Sequence, residues 1–329
     1  MDRATFLRSL AALAAAGAVP GAWAQPGVNL KVLIPASLGG GFDTTGRALG
    51  QAMLDAKQAA TVTFENKPGA AGVLGMGPFL ARDKGDATQI MVMGAVMVGG
   101  LIASRWPISL MRGTPLMRLT TEYNVFVLPP NSPFKTMDDV IVQFKKDPDS
   151  VLWGGGSQGS TEHIAAAMIA RAVAVNPLKL NYVASSGGGE AATAVLEGKV
   201  TIGGSGIGEF AEHIRNGKVK AVAVTSGQRL AAYQDIPTLK EQGIDVEINN
   251  WRGVFGKPEL TPARRQALID ALTATTQSPA WQEALEKNDW MPAVLAGDEF
   301  TKFVESEFVS LRKTMEGAGM VVVPIGWLP

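Results

Sequence analysis

The chain has no cysteine and only two histidines in 329 residues. The first absence excludes disulfides and thiolate chemistry. The second leaves no metal-catalytic pattern, since there is no His-Glu-x-x-His and no Cys/His cluster. Net charge is missing as well: 30 Lys and Arg balance 30 Asp and Glu. No global field draws in nucleic acid or a membrane surface, so any anion site has to be built locally. Beyond the first two dozen residues no apolar run is long enough to span a bilayer.

What is present is ordinary for a folded chain, 46% hydrophobic and 18% charged, and too long for one small domain. Two lobes are expected. The first 24 residues read as an export signal rather than fold: Arg3 and Arg8, the apolar run "LAALAAAGAV", then "AWA" before Gln25. Cleavage is expected after Ala24, placing the mature chain in the periplasm or outside the cell. No Cys follows that point to carry a lipid anchor.

Short apolar runs alternate with helical patterns. "NLKVLIPA" (29–36), "TVTFE" (61–65), "QIMVMG" (89–94), "NVFVLP" (124–129), "SVLWG" (150–154), "VTIGG" (200–204), "VKAVAV" (219–224) and "VEINNW" (246–251) read as strands. The alternation argues an α/β fold, mainly parallel, with helices on both faces. Thr261-Pro262 marks a helix start. Phe300, Val304, Phe308, Leu311 and Met315 form an apolar stripe, and Gly317 offers a stop.

A strand, a Gly-rich loop and a helix recur: "VLIPASLGGGFDTTGRALGQAM" and "VLWGGGSQGSTEHIAAAMIARA". Two similar lobes facing each other are expected, with these loops at the carboxyl ends of their strands. Neither loop is a phosphate loop by spacing. Gly41 to Gly46 is followed by Arg47-Ala48 rather than Lys-Ser/Thr, and the dinucleotide pattern does not fit. Glycines can still aim backbone N–H groups at one point, and a helix starting near Phe42 adds its dipole. Such a loop can hold a carboxylate without a cationic side chain. Ser37, Asp43 and Thr44 are also good capping residues, and a tight turn without ligand explains one such loop equally well.

Gly155 to Gly159 matches Gly-x-Ser-x-Gly around Ser157. A hydrolase would then need a later His. His163 stands too close in sequence, and His213 lies in the helical segment "EFAEHIRNGK". Further Gly/Ser-rich loops follow at 94–100, 185–192 and 203–210. Several backbone-rich loops without base or metal suit binding better than catalysis. Ser185, Ser205 and Thr161 can supply hydroxyls there, or act only as turn and cap residues.

Taken together, "IPASLGGGFDTTGRAL" (34–49), "ENKPGAAGVLG" (65–75), "VFVLPPNSPFKTMDDV" (125–140), "GGGSQGSTEH" (154–163), "VTSGQRLAAYQDIPTLKEQGIDVE" (224–247) and "WRGVFGKPELTPARR" (251–265) carry a resemblance. The chain resembles the periplasmic receptors of tripartite tricarboxylate transporters, the Bug receptors, over nearly all of its mature length. The resemblance implies a two-lobe binding-protein fold of the type II kind with a ligand cleft between the lobes. Residues 25–126 and 250–329 would form lobe 1, and 127–249 lobe 2. It implies no enzyme activity and no cofactor. It implies one carboxylate of an organic acid clamped by backbone amides from both lobes.

On lobe 1 the implied ligand residues are Leu38, Gly39, Gly40, Gly41, Phe42 and Asp43, flanked by Ser37 and Thr44. On lobe 2 they are Ser157, Gly159, Ser160 and Thr161, with Ser205 as a further hydroxyl. The loops look closest to the tricarboxylate branch, which favours a citrate-like di- or tricarboxylate. Ser37-Leu38 departs from the Asn/Ala-Pro pair of many relatives, which leaves the ligand open. Arg252, His163 and Arg47 are the cations nearest the loops in sequence. Arg252 either reaches the ligand or forms a hinge ion pair with an acid such as Asp43. His163 reads as a surface or packing residue, with ligand contact as the alternative. The implied partners are the small organic anion and the transporter's membrane subunits; a sensor kinase is a different class of partner. A monomer without nucleic-acid partner is expected.

Overall fold

The computed structural model describes residues 28–321, so the export-signal reading at 1–24 lies outside it. The first lobe opens with β1 (Asn29–Ile34), α1 (Gly41–Asp55), β2 (Thr61–Asn66), α2 (Val73–Ala81), β3 (Gln89–Gly94) and α3 (Ala95–Ser104). The three strands are parallel in the order β2-β1-β3. Leu30, Val32 and Ile34 are buried while Asn29 and Lys31 face out, an alternation that ends at Leu33, which is buried as well. α1 lies close on this sheet because Gly50 has no side chain. A Cβ there would meet Phe64 Cζ at 2.6 Å.

β4 (Thr114–Leu128) leaves this lobe and enters the second. The second lobe continues through α4 (Met137–Lys146), β5 (Leu152–Gly155), α5 (Thr161–Ala172), β6 (Asn181–Ala184), α6 (Gly188–Leu196), β7 (Ile202–Gly206), α7 (Ile207–Arg215) and β8 (Lys220–Val224). Its parallel strands run β6-β5-β7. β9 (Asn249–Gly256) returns, followed by α8 (Pro262–Thr276), α9 (Pro279–Lys287), β10 (Met291–Ala296) and α10 (Gly297–Gly317).

The sheets are mixed rather than parallel throughout. β4 is antiparallel to β9 over Thr114–Tyr123 and to β10 nearby, then antiparallel to β7 and β8 from Asn124 onward. One 15-residue strand therefore belongs to both lobes, and the ladder stays paired as it crosses. β4 begins ten residues before "NVFVLP", because Thr120, Glu122 and Asn124 interrupt the apolar pattern yet are buried. β6 and β10 are the strands that the sequence pattern does not announce.

Each lobe has its own core. Trp251 packs edge-on against Phe300 and Phe303 in the first; Trp153 packs edge-on against Phe126 and Phe144 in the second. The stripe on α10 is core packing, with Phe300, Val304, Leu311 and Met315 buried. Thr261 Oγ1 accepts from Arg264 N at 3.3 Å and caps α8.

Candidate functional site

Five strand-to-helix switches meet where the lobes face each other. A narrow cavity of ≈ 60 Å³ is lined by Gly41 and Phe42 of α1, Val96 of α3, Ser160 and Glu162 at the start of α5, Gly187 and Gly188 at α6, and Ser205 and Glu209 at α7. Asn250 and Arg252 of β9 complete its floor. Larger hollows lie on outer faces of the first lobe, such as the 520 Å³ apolar groove between Trp106 and Phe308, but no such convergence of loops is found in them.

The amide supply comes from helix starts. Gly40 caps α1 and Gly187 caps α6, each without a side-chain hydrogen bond. First-turn N–H groups have no carbonyl partner inside their own helix, so Gly41, Phe42, Gly188 and Gly189 present donors. Each helix start carries about half a positive charge. A first-turn acid braces each loop from behind. Asp43 accepts from Gly39 N at 3.0 Å, and Glu190 accepts from Ser186 N at 2.6 Å. Neither acid lines the cavity.

The loops touch across the cleft: Ser37 Oγ donates to Ser186 Oγ at 3.2 Å. "SSGGG" (185–189) is therefore the segment opposite "SLGGG", and the 157–160 loop flanks both. Of the expected ligand residues, Gly40, Gly41, Phe42, Ser157, Ser160, Ser205 and Arg252 line the cavity. Ser37, Leu38, Gly39, Asp43, Thr44, Gly159 and Thr161 do not. Leu38 is 71% exposed. Thr44 Oγ1 donates to Gly40 O inside α1. Gly159 packs on Gly99 of α3. Thr161 is fully buried, its hydroxyl 3.4 Å from Asn124 Oδ1.

Of the three expected cations only Arg252 lines the cavity, and it is also engaged by Glu122; Arg47 and His163 do not line it. Arg47 Nε holds Asp43 Oδ1 at 2.9 Å, and its Nη2 donates to Asn66 Oδ1. Burial works against the Asp43 charge, but Arg47, Asn66 and Gly39 outweigh it and hold the carboxyl below its ordinary value. The hinge pair expected between Arg252 and Asp43 is thus not formed. Arg252 instead pairs with Glu122 of β4 and lies 4.0 Å from Glu209. The diagonal across β4 and β9 brings Glu122 to Arg252, while Asp43 is held on the far side of α1's first turn. His163 Nδ1 accepts from Gly159 N at 3.1 Å and its ring stacks on Tyr182. Burial pulls it down to about 4, so it is neutral near pH 7.

The acids were the residues that sequence reasoning missed. Glu122, Glu162 and Glu209 surround one arginine. Glu122 is 1% and Glu162 4% exposed. Burial raises the carboxyl of each. For Glu122 the arginine offsets only part of this, leaving it pushed up to about 8. Asn250 Nδ2 donates to Glu122 Oε1 at 3.3 Å, Asn250 Oδ1 is buried without a partner, and the Gly208 N–H lies beside the Glu122 carboxyl. An acid inside a strand pattern, as in "TTEYNV", was the available signal.

Nothing in this arrangement resembles a hydrolase. Ser157 Oγ donates to the Ser185 carbonyl, and His163 Nδ1 is taken by Gly159. Among the described residues no three His, Asp or Glu are grouped to hold a metal.

Comparison with known proteins agrees with this architecture. BugT of Bordetella pertussis is 23% identical over 295 residues, 86% of each chain. The periplasmic binding protein BugD superposes with a TM-score of 0.78 at 23% identity, covering 89% of this chain and 98% of its own. MatC of Rhodopseudomonas palustris, solved with bound malate, gives 0.76 at 21% identity, covering 87% and 99%. Both structural neighbours share the two-lobe fold. Residues 47–319 match the tripartite tricarboxylate transporter family receptor, and the chain belongs to that family.

Proposed function

We propose that this chain is a periplasmic receptor that holds the carboxylate of a small organic acid between the two lobes and delivers it to the membrane subunits of a tripartite transporter. The observation that carries the reading is the convergence of uncapped helix starts. The starts of α1 from one lobe and α6 from the other, neither with a side-chain cap, line one cavity. An anion there satisfies donors that the helices cannot, with a helix-start stabilisation of up to about 2 kcal/mol per terminus in a partly buried setting. MatC, with malate, is a neighbour of like fold holding such an acid.

Because donors from both lobes are needed at once, binding would draw the lobes together about β4 and β9, and closure would complete the surface shown to the transporter. The hinge would lie where β4 changes partner from β9 to β7 and β8, at residues 123–124, and where β9 begins at residue 249.

A thermal-shift panel of small carboxylates tests this. An acid at a hundred times its Kd should stabilise the fold by about 2.7 kcal/mol by mass action. If no carboxylate moves the midpoint, the receptor reading fails. Reconstitution with the membrane subunits, scored as uptake that depends on this chain, tests delivery.

A further inference from the structure

The turn that leads into α5 belongs at once to the cleft and to the contact between the lobes. Gly156, Ser157 and Ser160 line the cavity. Gly159, between them, packs on Gly99 of α3 in the other lobe, and a Cβ on Gly159 would meet Gly99 O at 2.7 Å. Gly159 has a φ of +81°, in the left-handed region that favours glycine. A few residues on, Ile164 of α5 is buried in the core of the first lobe. We propose that His163 is a positioning residue for acid capture: through the Gly159 N–H it holds this turn in the one shape that both faces the ligand and seats on Gly99. This rests on the carboxylate-receptor reading above and adds the residue that shapes its second-lobe loop.

Three observations support it. First, helix capping does not need this contact. Ser160 Oγ already accepts from His163 N and caps α5. The bond to His163 Nδ1 starts one residue further back, at Gly159 N, 3.1 Å away, so it fixes the turn rather than the helix. Second, the imidazole is itself held. Tyr182 of β6 stacks on it with ring centroids 4.1 Å apart and planes at 28°. The Tyr182 hydroxyl donates to the Gly156 carbonyl at 3.0 Å. The stacked pair therefore grips the turn at both ends, Gly156 and Gly159, while neither ring lines the cavity. Third, the seat on the opposite lobe is backbone against backbone. Close-packed backbone has no flexible side chain to absorb a shift, so the turn must arrive in the right shape. Burial pulls His163 down to about 4, and near neutral pH its Nδ1 keeps the lone pair that Gly159 needs.

Calorimetry on the full chain tests this, with malate, citrate and adipate as probes together with any acid that moves the midpoint in the carboxylate panel. Each acid that wild type binds is then titrated into three variants. His163→Phe keeps a ring for Tyr182 and removes the acceptor, and affinity should fall about tenfold or more. His163→Asn gives up the ring but sets an amide oxygen near the Nδ1 position, and should recover most of that loss. Gly99→Ala fills the seat from the other lobe without touching His163, and should weaken the same acid by about tenfold or more. Circular dichroism melts verify that the variants fold. Wild-type affinity in folded His163→Phe or Gly99→Ala overturns the proposal. So does His163→Asn binding no better than His163→Phe, because the acceptor would then not be what positions the turn. In each of these outcomes wild type still binds and the receptor reading stands. If wild type takes none of the acids, the receptor reading fails and the positioning role fails with it.

Discussion

Arg252 of β9 and Glu122 of β4 form an ion pair across the two strands that run between the lobes, with side chains 3% and 1% exposed. In register, Arg252 opposes Thr120 and Asn250 opposes Glu122, so the pair is a diagonal on one face of the ladder. Trp290 lies against the guanidinium, 5.4 Å from its centre. The cleft floor and the crossover between lobes are thus the same few residues.

Breaking this pair on one side should be costly above about pH 8, where Glu122 is charged, because the partner then stays buried and uncompensated. Arg252→Met is expected to lose about 3–5 kcal/mol of stability. The double change Arg252→Met with Glu122→Gln should recover most of it, since well-packed neutral groups replace two desolvated charges. Urea unfolding of the three variants measures this. A double variant no more stable than the single would show that the pair is not the reason Arg252 is needed.

Gly41 is required by the same arginine. A Cβ at this position would stand 2.6 Å from Arg252 Cζ, and Glu122 leaves the guanidinium little room to retreat. Gly41→Ala should therefore cost about 1–3 kcal/mol through overpacking. It should also weaken ligand binding by more than about tenfold, because the first N–H groups of α1 shift with it. Unchanged affinity in a folded Gly41→Ala protein would remove α1 from the binding site.

The buried acids make stability depend on pH in a defined direction. Folded Glu122 keeps its proton up to about pH 8, whereas the unfolded group releases it near the ordinary 4.5. Over that window the folded chain binds more protons, so stability falls as pH rises and levels off above the folded value. Glu162 and Glu209 act in the same sense. His163 opposes them only below 6.5, and Asp43 only below 3.8. Urea midpoints should accordingly drop between pH 6.5 and pH 8, and Glu122→Gln should flatten the slope. An equal slope in both proteins would mean that Glu122 does not titrate there.

The fold was legible where local chemistry and tertiary demand agree. "NLKVLI" alternates because one side of β1 is covered, and Thr261-Pro262 starts a helix wherever it lies. β6 stayed hidden because Asn181 to Ala184 sits at an edge with little buried apolar surface, and β10 because Pro292 and a register shift interrupt its ladder. The site was half legible. Gly40 and Gly41 announce a backbone-lined loop in any context. Glu162 and Glu209 stand in helix first turns, and only the fold, which brings the starts of α5 and α7 to one cavity, makes them neighbours. The Arg252 partner was out of reach for the same reason: Asp43 and Glu122 are equally plausible in one dimension, and the β4–β9 register decides between them.

Asp43 was the residue whose role sequence left open, and it can be tested directly. Its side chain is 6% exposed and accepts from Gly39 N, Arg47 Nε and Asn66 Nδ2, the last at 2.8 Å. A residue that only caps a helix tolerates Asp→Asn, since the two cap about equally well. Here an amide would turn a donor toward Arg47 or Asn66 and leave one of them unpaired. Asp43→Asn is therefore expected to lose about 1–3 kcal/mol. Arg47 is partly exposed, so the ion pair itself supplies only a small part of this. The pH signature separates charge from shape. The carboxyl is held below its ordinary 3.8, so its contribution is present above that value and lost as pH falls through the folded pKa. The variant should lose less stability than wild type on acidification below pH 4, and the ligand preference for charge should be unchanged, because Asp43 does not line the cavity. Wild-type stability in Asp43→Asn would reduce Asp43 to a cap, and an altered ligand preference would place it in contact with the ligand.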